Sequence, residues 1–194
     1  MATTAAILDA NVLFSARLRD LFVQLAVSGL YRAKWTVTIH KEWMCALEDA
    51  RPDISRDRIE RTRELIDRAV ADCLVTRYKS LAKSLNLPDQ QDNHVLAAAI
   101  KGRCDIIVTQ NIRDFPAAAL DPHGVTAITP DDFLSHLVTL DPIGVCEAVC
   151  LVQHRLRSPP INMQGYLRNL EQAGLERFAA LLQQNHQARS RLGI

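Results

Sequence analysis

Acidic and amide side chains in this 194-residue sequence follow short apolar segments at several widely separated places. Asp9 comes directly after the apolar residues 4–8, and Thr109, Asn111 and Asp114 follow a second apolar segment. In open α/β sheets, sites form beyond the carboxyl ends of the strands, so these side chains are expected at one edge of a sheet. The candidate site residues are Asp9, Asn11, Glu42, Asp89, Asp92, Thr109, Asn111 and Asp114.

Several carboxylates at one sheet edge need a partner of opposite charge. Two carboxylates about 4 Å apart repel by roughly 4 kcal/mol at an effective dielectric constant near 20. No basic residue is interleaved at the candidate positions, so we expect protons or a divalent cation to neutralise them. Hard oxygen donors without His or Cys favour Mg²⁺ or Mn²⁺ over Zn²⁺. Such an ion could bind a phosphodiester, activate water and stabilise the leaving oxygen.

Each candidate also has an interpretation that involves no chemistry. Asp9 and Asp89 could cap helices, and Asp92 could sit in a helix first turn, where an acid is favoured by the helix dipole. Glu42 could form a capping pair with Thr38, and Asp114 could be a turn residue. These alternatives stay open for each residue taken singly.

Other chemistries find little support in the sequence. It contains no G-x-S-x-G, no G-x-G-x-x-G and no Walker A motif. The five cysteines form no C-x-x-C pair, so reduced structural thiols are expected, including Cys146 and Cys150. A net charge of +1 does not indicate a nucleic-acid-binding protein.

The basic residues over 56–68 are expected on a solvated helix face, and the alternative is that they contact RNA or a partner protein. His94 is also expected on a helix face.

The elements that would position these residues are apolar strands separated by amphipathic helices. Strands are predicted over residues 4–8, 34–37, 104–109 and 125–128. Helices are predicted to end at Gly29, to begin at Thr38 and after Ser55, to span 89–101, and to begin after Thr129. This alternation predicts a parallel α/β sheet with right-handed crossovers. No apolar segment is long enough for a membrane span, and no secretory signal is visible, so a cytoplasmic protein is expected.

The last quarter of the chain is predicted to be a separate helical unit. The segment 141–144 (DPIG) is the best boundary, which divides the chain into a domain over 1–142 and a helical extension over 143–194. Two helical stretches are expected there, separated by Pro159 and Pro160. The second has an apolar face that should pack on the main domain or the other tail helix, with a dimer or partner surface as the alternative.

Three segments together resemble the PIN-domain ribonucleases. They are ILDANVL over residues 7–13, LPDQQDNHVLAAA over 87–99 and IVTQNIRDFP over 107–116. The middle segment is similar to an L-P-D-x-x-D-x-H-V-L-A-A-A pattern of VapC-like bacterial toxins. The resemblance covers roughly residues 4–140 and extends more weakly to the helical tail.

The resemblance implies a three-layer α/β sandwich with a central parallel sheet and a C-terminal helical extension. It also implies a Mg²⁺- or Mn²⁺-dependent endoribonuclease toxin that cuts single-stranded or loop RNA and is held by a small antitoxin protein, with a homodimer as a further family-level expectation. The metal-binding and catalytic acids would be Asp9, Glu42, Asp92 and Asp114. The supporting residues would be Asn11, Thr109 and Asn111, together with Asp89, an additional acid of this branch.

Two other functions compete with this hypothesis. A phosphotransferase of the haloacid-dehalogenase or receiver type would also place an Asp after the first strand. The former requires Asp-x-Asp, but here Asn11 occupies the third position, and the acidic pair and lysine of receivers are missing. A catalytically silent PIN-like protein that only binds RNA or acts as a scaffold would keep the fold and lose its affinity for metal.

Overall fold

The computed structural model describes residues 4–157 and 159–192, and for 186–192 only the backbone course is described. The strands are β1 Ala5–Leu8, β2 Arg32–Lys34, β3 Ile106–Val108 and β4 Thr126–Ile128. The helices before β3 are α1 Ala10–Phe14, α2 Ala16–Val27, α3 Val37–Ala50, α4 Arg56–Ala69, α5 Lys79–Ala82 and α6 Asn93–Gly102. Those after it are α7 Ala117–Leu120, α8 Pro130–Leu140, α9 Pro142–Arg155, α10 Met163–Glu171 and α11 Glu176–Leu192. Short 3₁₀ turns span Gln90–Asp92, Ile112–Asp114 and Asp121–His123.

The four strands form one parallel sheet in the order β2-β1-β3-β4. All residues of β1 are fully buried, because helices cover both faces of this strand. Leu8 pairs with Val108, so β1 and β3 end side by side and the residues that follow them lie next to each other. The predicted α/β fold with a central parallel sheet is therefore confirmed.

Helix α3 carries Glu42 and is fixed by a buried polar cluster on its other side. His40 Nδ1 accepts a hydrogen bond of 2.9 Å from the Trp43 indole, and its Nε2 lies 2.8 Å from Asp67 Oδ1 on α4. The Trp35 indole also donates to Asp67 Oδ1. Burial lowers the pKa of His40, and because indole N–H can only donate, the ring is held neutral with its proton on Nε2. This cluster holds α3 against α4 and so sets the position of Glu42.

Two predicted boundaries around α3 are wrong. The strand predicted over 34–37 occupies Arg32–Lys34, and the helix begins at Val37 with Thr36, not Thr38, as its cap. The Trp35 amide donates to the Cys73 carbonyl and the Trp35 carbonyl accepts from Val75, which keeps the chain extended up to Thr36. The Thr36 hydroxyl then accepts from the Ile39 amide, while the Thr38 hydroxyl contacts Tyr78. The suggested Thr38–Glu42 capping pair is therefore not formed.

Other helix boundaries also differ from those predicted. The single helix predicted over 89–101 is a 3₁₀ turn followed by α6, with Asp89 capping the turn by accepting from the Gln91 amide. Ser55 precedes α4 but makes no side-chain capping bond. The predicted Thr129 cap of α8 is confirmed, since its hydroxyl accepts from the Asp132 amide.

The tail folds as helices that pack on the main domain. The second predicted stretch is divided into α10 and α11, because Gly174 adopts a φ of 81° that ends the first helix. Helix α9 packs on α2, and α11 packs on α8, which agrees with the expectation that the tail is covered within the chain. The Asp131 carboxylate on α8 accepts from the Arg177 and Phe178 amides and so caps α11. Among the described helices, none has the length and apolarity to cross a bilayer.

Candidate active site

Asp9 is held at the carboxyl end of β1 by donors on both of its carboxylate oxygens. Its Oδ1 accepts from the Ala10 amide at 2.7 Å, which caps α1. Its Oδ2 accepts from the Asn11 amide group at 2.6 Å and from the Thr109 hydroxyl at 2.7 Å. The side chain is 6% exposed, so the carboxylate has one fixed orientation at the sheet edge.

The residues after β3 complete this network. Asn11 Nδ2 lies 3.0 Å from the Thr109 hydroxyl, and Asn11 Oδ1 accepts from the Gln110 amide at 3.1 Å. The Asn111 backbone amide donates to the Thr109 hydroxyl at 3.0 Å. The structure thus brings Asp9, Asn11 and Thr109 into direct contact, whereas Asn111 takes part through its backbone.

Glu42 has a partner that the sequence analysis missed. His94 Nε2 on α6 lies 2.7 Å from Glu42 Oε1 on α3. His94 lies on a face of α6, as predicted, and from there it places a base beside one of the candidate acids. His94 Nδ1 is buried and has no hydrogen-bond partner in the described part of the chain. The sequence signal for a role of His94 was its position two residues after Asp92, within the segment 87–99.

Asp92 lies where burial and negative charge act together. Partial burial, followed by the charges of Asp9, Asp89 and Asp114, raises the pKa of Asp92 to about 6, and His94 opposes that rise. Asp114 ends the 3₁₀ turn after β3, and Asp92 ends the turn before α6. Asp9 and Asp114 both lie within electrostatic range of Asp92, although neither hydrogen-bonds to it.

The charge of Asp9 is controlled by the same neighbours. Burial raises the pKa of Asp9, and the hydrogen bonds from Thr109 and the Ala10 amide act against that rise. Glu42 raises the pKa of Asp9 further, and His94 lowers it. Asp9, Glu42, Asp92 and Asp114 therefore belong to one charge-coupled group, with His94 as its nearby base.

The donor types in this group suit a hard divalent cation, because all four acids offer oxygen ligands. Besides burial, three neighbouring carboxylates raise the pKa of Asp92, so negative charge accumulates at this place. As folded, however, no three His, Cys, Asp or Glu side chains of the described residues lie close enough together to hold an ion. Donor chemistry and charge fit a metal, and the side chains would have to draw closer on binding.

Comparisons with known proteins agree with this architecture. A family model described as PIN domain matches residues 5–113, and one described as VapC50 C-terminal domain matches residues 130–184. The first match ends one residue before Asp114. The second begins with α8, upstream of the predicted boundary at 142/143, and that boundary stays a prediction.

A relative in Mycobacterium tuberculosis carries the name "Putative ribonuclease VapC50" and is 46% identical over 57 residues. The aligned stretch covers 29% of this chain and 33% of the relative. No solved structure matches this chain. The PIN-domain match covers more than half of the chain and includes β1, β2 and β3 and the Asp9–Thr109 network. The chain therefore belongs to the PIN-domain family.

Proposed function

We propose that this protein is a metal-dependent endoribonuclease, the toxin of a toxin–antitoxin pair. The observation that carries the proposal is the charge-coupled group of Asp9, Glu42, Asp92 and Asp114 at the carboxyl edge of a parallel sheet. The partial match to a relative named as a ribonuclease supports the same activity. The group contains no serine or cysteine nucleophile, which favours attack by water over a covalent intermediate.

The four acids would hold Mg²⁺ or Mn²⁺. When bound, the ion would supply the positive charge that allows an anionic phosphodiester to approach the carboxylates. Asp9 is the fixed member, because Thr109, Asn11 and the Ala10 amide determine its orientation. Glu42 is the member with a competing partner, because His94 already contacts one of its oxygens.

Cleavage of labelled single-stranded RNA tests the proposal directly. We expect cleavage with Mn²⁺ or Mg²⁺, none with a chelator, and a loss of at least about tenfold in the Asp92→Asn variant. Asp57→Asn is a matched control, because Asp57 is an exposed acid on α4. Equal cleavage by the Asp92→Asn variant, or cleavage in chelator, would contradict the proposed chemistry.

The alternative is a silent PIN-like protein that binds RNA or acts as a scaffold. It is favoured by the absence, among the described residues, of three ligands already close enough to hold an ion. Calorimetry with Mn²⁺ separates the two functions. Heat of binding that Asp9→Asn abolishes supports the enzyme, whereas RNA binding without any metal binding supports the scaffold.

The toxin role implies partners beyond the RNA substrate. A small antitoxin could insert an Arg or Lys side chain among the carboxylates and so occupy the place of the metal. A homodimer and a cytoplasmic location are also part of this proposal. Co-purification with the product of an adjacent short gene, followed by loss of RNA cleavage, would test the antitoxin pairing.

A further inference from the structure

A polar groove lies beside the acidic group and shares a wall with it. Its volume is about 560 Å³, within the roughly 300–1,000 Å³ of typical ligand pockets. Its polar lining residues are Lys83, Asn86, Gln90, Gln91, Asn93 and His94. His94 belongs to both places, because its ring lines the groove and its Nε2 contacts Glu42. A chain bound at the acids would therefore continue into this groove.

The groove is a fixed feature of the fold. Asn93 is buried, its amide donates to the Leu85 carbonyl, and its oxygen accepts from the Leu87 amide. These two bonds, each 2.9 Å long, fix the loop that carries Asn86 against the start of α6. The Asp89 cap likewise fixes the 3₁₀ turn that carries Gln91. The segments that line the groove are thus positioned before any ligand arrives.

The exposed side chains of the groove are free to bind. Within the described residues, the side-chain amide groups of Asn86, Gln90 and Gln91 make no hydrogen bond, and Lys83 forms no ion pair. The lining contains one lysine and no carboxylate, in contrast to the acidic group beside it. None of the lining residues is aromatic, so recognition here would use hydrogen bonds and charge, not stacking.

We infer that this groove binds one or two unpaired nucleotides of single-stranded RNA next to the scissile phosphodiester, with Gln90 and Gln91 selecting the base and Lys83 contacting a phosphate. An amide presents a donor and an acceptor side by side, the pattern with which Asn and Gln hydrogen-bond base edges. Unpaired RNA bases expose those edges, whereas the edges in an RNA duplex are largely inaccessible to side chains. The inference rests on the proposed ribonuclease function, which supplies the substrate class.

The two kinds of contact predict different effects. A residue that hydrogen-bonds a base should change the sequence preference, and a residue that contacts a phosphate should weaken binding of all sequences alike. For the double variant Gln90→Ala/Gln91→Ala, we expect preference for one base at a fixed position beside the cut to fall by about 5- to 150-fold. For Lys83→Gln, we expect unchanged preference and a slope of log affinity against log salt that is smaller by about 0.7.

The experiment maps cut sites in a random RNA library by sequencing the new ends, for the wild type and for each variant. Gln172→Ala, an exposed amide in the helical tail, is the matched control and should match the wild type. A second measurement uses fluorescence anisotropy of labelled hexanucleotides in chelator, where metal-dependent cutting is stopped. It reports base preference and salt slope without any cleavage.

The outcomes separate the two proposals. If no RNA is cut under any metal condition, the ribonuclease function fails, and the anisotropy measurement alone decides on the groove. If RNA is cut or bound with a base preference that the Gln90→Ala/Gln91→Ala variant leaves unchanged, the groove assignment is overturned. The same conclusion follows if neither the wild type nor the variant shows any base preference.

Discussion

The Thr109 hydroxyl donates a hydrogen bond of 2.7 Å to Asp9 Oδ2 from a position 100 residues away in the chain. Thr109 is fully buried, and its oxygen also accepts from the Asn111 amide. One hydroxyl therefore connects the carboxyl ends of β1 and β3 and orients the most buried acid of the candidate site. The arrangement depends on the parallel register in which Leu8 pairs with Val108.

Replacing Thr109 by Val should separate the role of the hydroxyl from that of side-chain shape. The substitution leaves Asp9 with one donor fewer and the Asn111 amide without its acceptor. We expect the free energy of unfolding to fall by about 1–3 kcal/mol and the pKa of Asp9 to rise further. Chemical denaturation measures the loss of stability. RNA cleavage is expected to fall at least about tenfold, because Asp9 loses part of what orients it. The Thr109→Ser variant keeps the hydroxyl and should retain most of the stability and most of the cleavage activity. Equal behaviour of the Thr109→Val and Thr109→Ser variants would refute the role assigned to the hydroxyl.

Substitutions at Glu42 and His94 should affect divalent-ion affinity differently, because only Glu42 is a candidate ligand. Glu42→Gln removes a candidate ligand charge and should weaken Mn²⁺ binding by about 10- to 100-fold. His94→Ala removes the group that contacts the same carboxylate and should leave Mn²⁺ binding unchanged or stronger. Calorimetric titration with Mn²⁺ measures both. Loss of binding in His94→Ala would instead show that His94 is itself a ligand.

The pKa of Asp92, raised to about 6, predicts a distinct pH dependence for the metal-free protein. Folded Asp92 takes up a proton more readily than unfolded Asp92, whose ordinary pKa is 3.8. Its contribution to stability is therefore fully present below about pH 4 and is lost as the pH rises through about 6. Thermal melting across this range should show the decline in the wild type and a smaller one in Asp92→Asn.

The same proton should compete with the metal. Below about pH 6, Mn²⁺ affinity is expected to fall, approaching tenfold for each pH unit if one proton is displaced. Calorimetry at pH 5 and pH 7 measures the change. The Asp57→Asn protein should follow the wild type, and an affinity independent of pH between these values would contradict the position assigned to Asp92.

The Asp131 cap predicts that the helical tail is coupled to α8. Asp131→Ala removes the acceptor for the Arg177 and Phe178 amides and should cost about 0.5–2 kcal/mol of stability. Hydrogen exchange at those two amides should quicken, while exchange in β1 should change little. Asp121→Ala, which removes an exposed acid from a 3₁₀ turn, is the control. Unchanged exchange at Arg177 and Phe178 would refute the capping role.

Sequence patterns predicted well the helix caps and strands whose formation depends on residues close by in the chain. The Thr129 cap and the apolar strands Ala5–Leu8 and Ile106–Val108 follow from local spacing, and the sheet follows from their alternation with helices. Thr36 and Thr38 are equally good caps by type, and contacts of Trp35 with a segment nearly 40 residues away decide between them. Local spacing contains no information on that choice.

The candidate site shows the same dependence on contacts between residues that are far apart in the chain. Asp9, Asn11 and Thr109 could be grouped because strand ends meet at one sheet edge, which is a property of the topology. The Glu42–His94 contact joins two helices, and its formation depends on how α3 and α6 are inclined toward each other. No spacing in the sequence specifies that inclination, so the Glu42–His94 contact itself could not be predicted.

The separation between Asp9 and Thr109 also has a consequence for biosynthesis. Because β1 needs β3 beside it, a nascent chain that has passed Asp9 still lacks Asp114 and the Thr109 hydroxyl until the ribosome has translated the codons for Ile106–Val108 and the residues up to Asp114. At roughly 5–20 residues per second, that interval lasts roughly 5–20 seconds. During this time the candidate site cannot assemble, and a chain that terminates before β3 lacks the hydroxyl that orients Asp9.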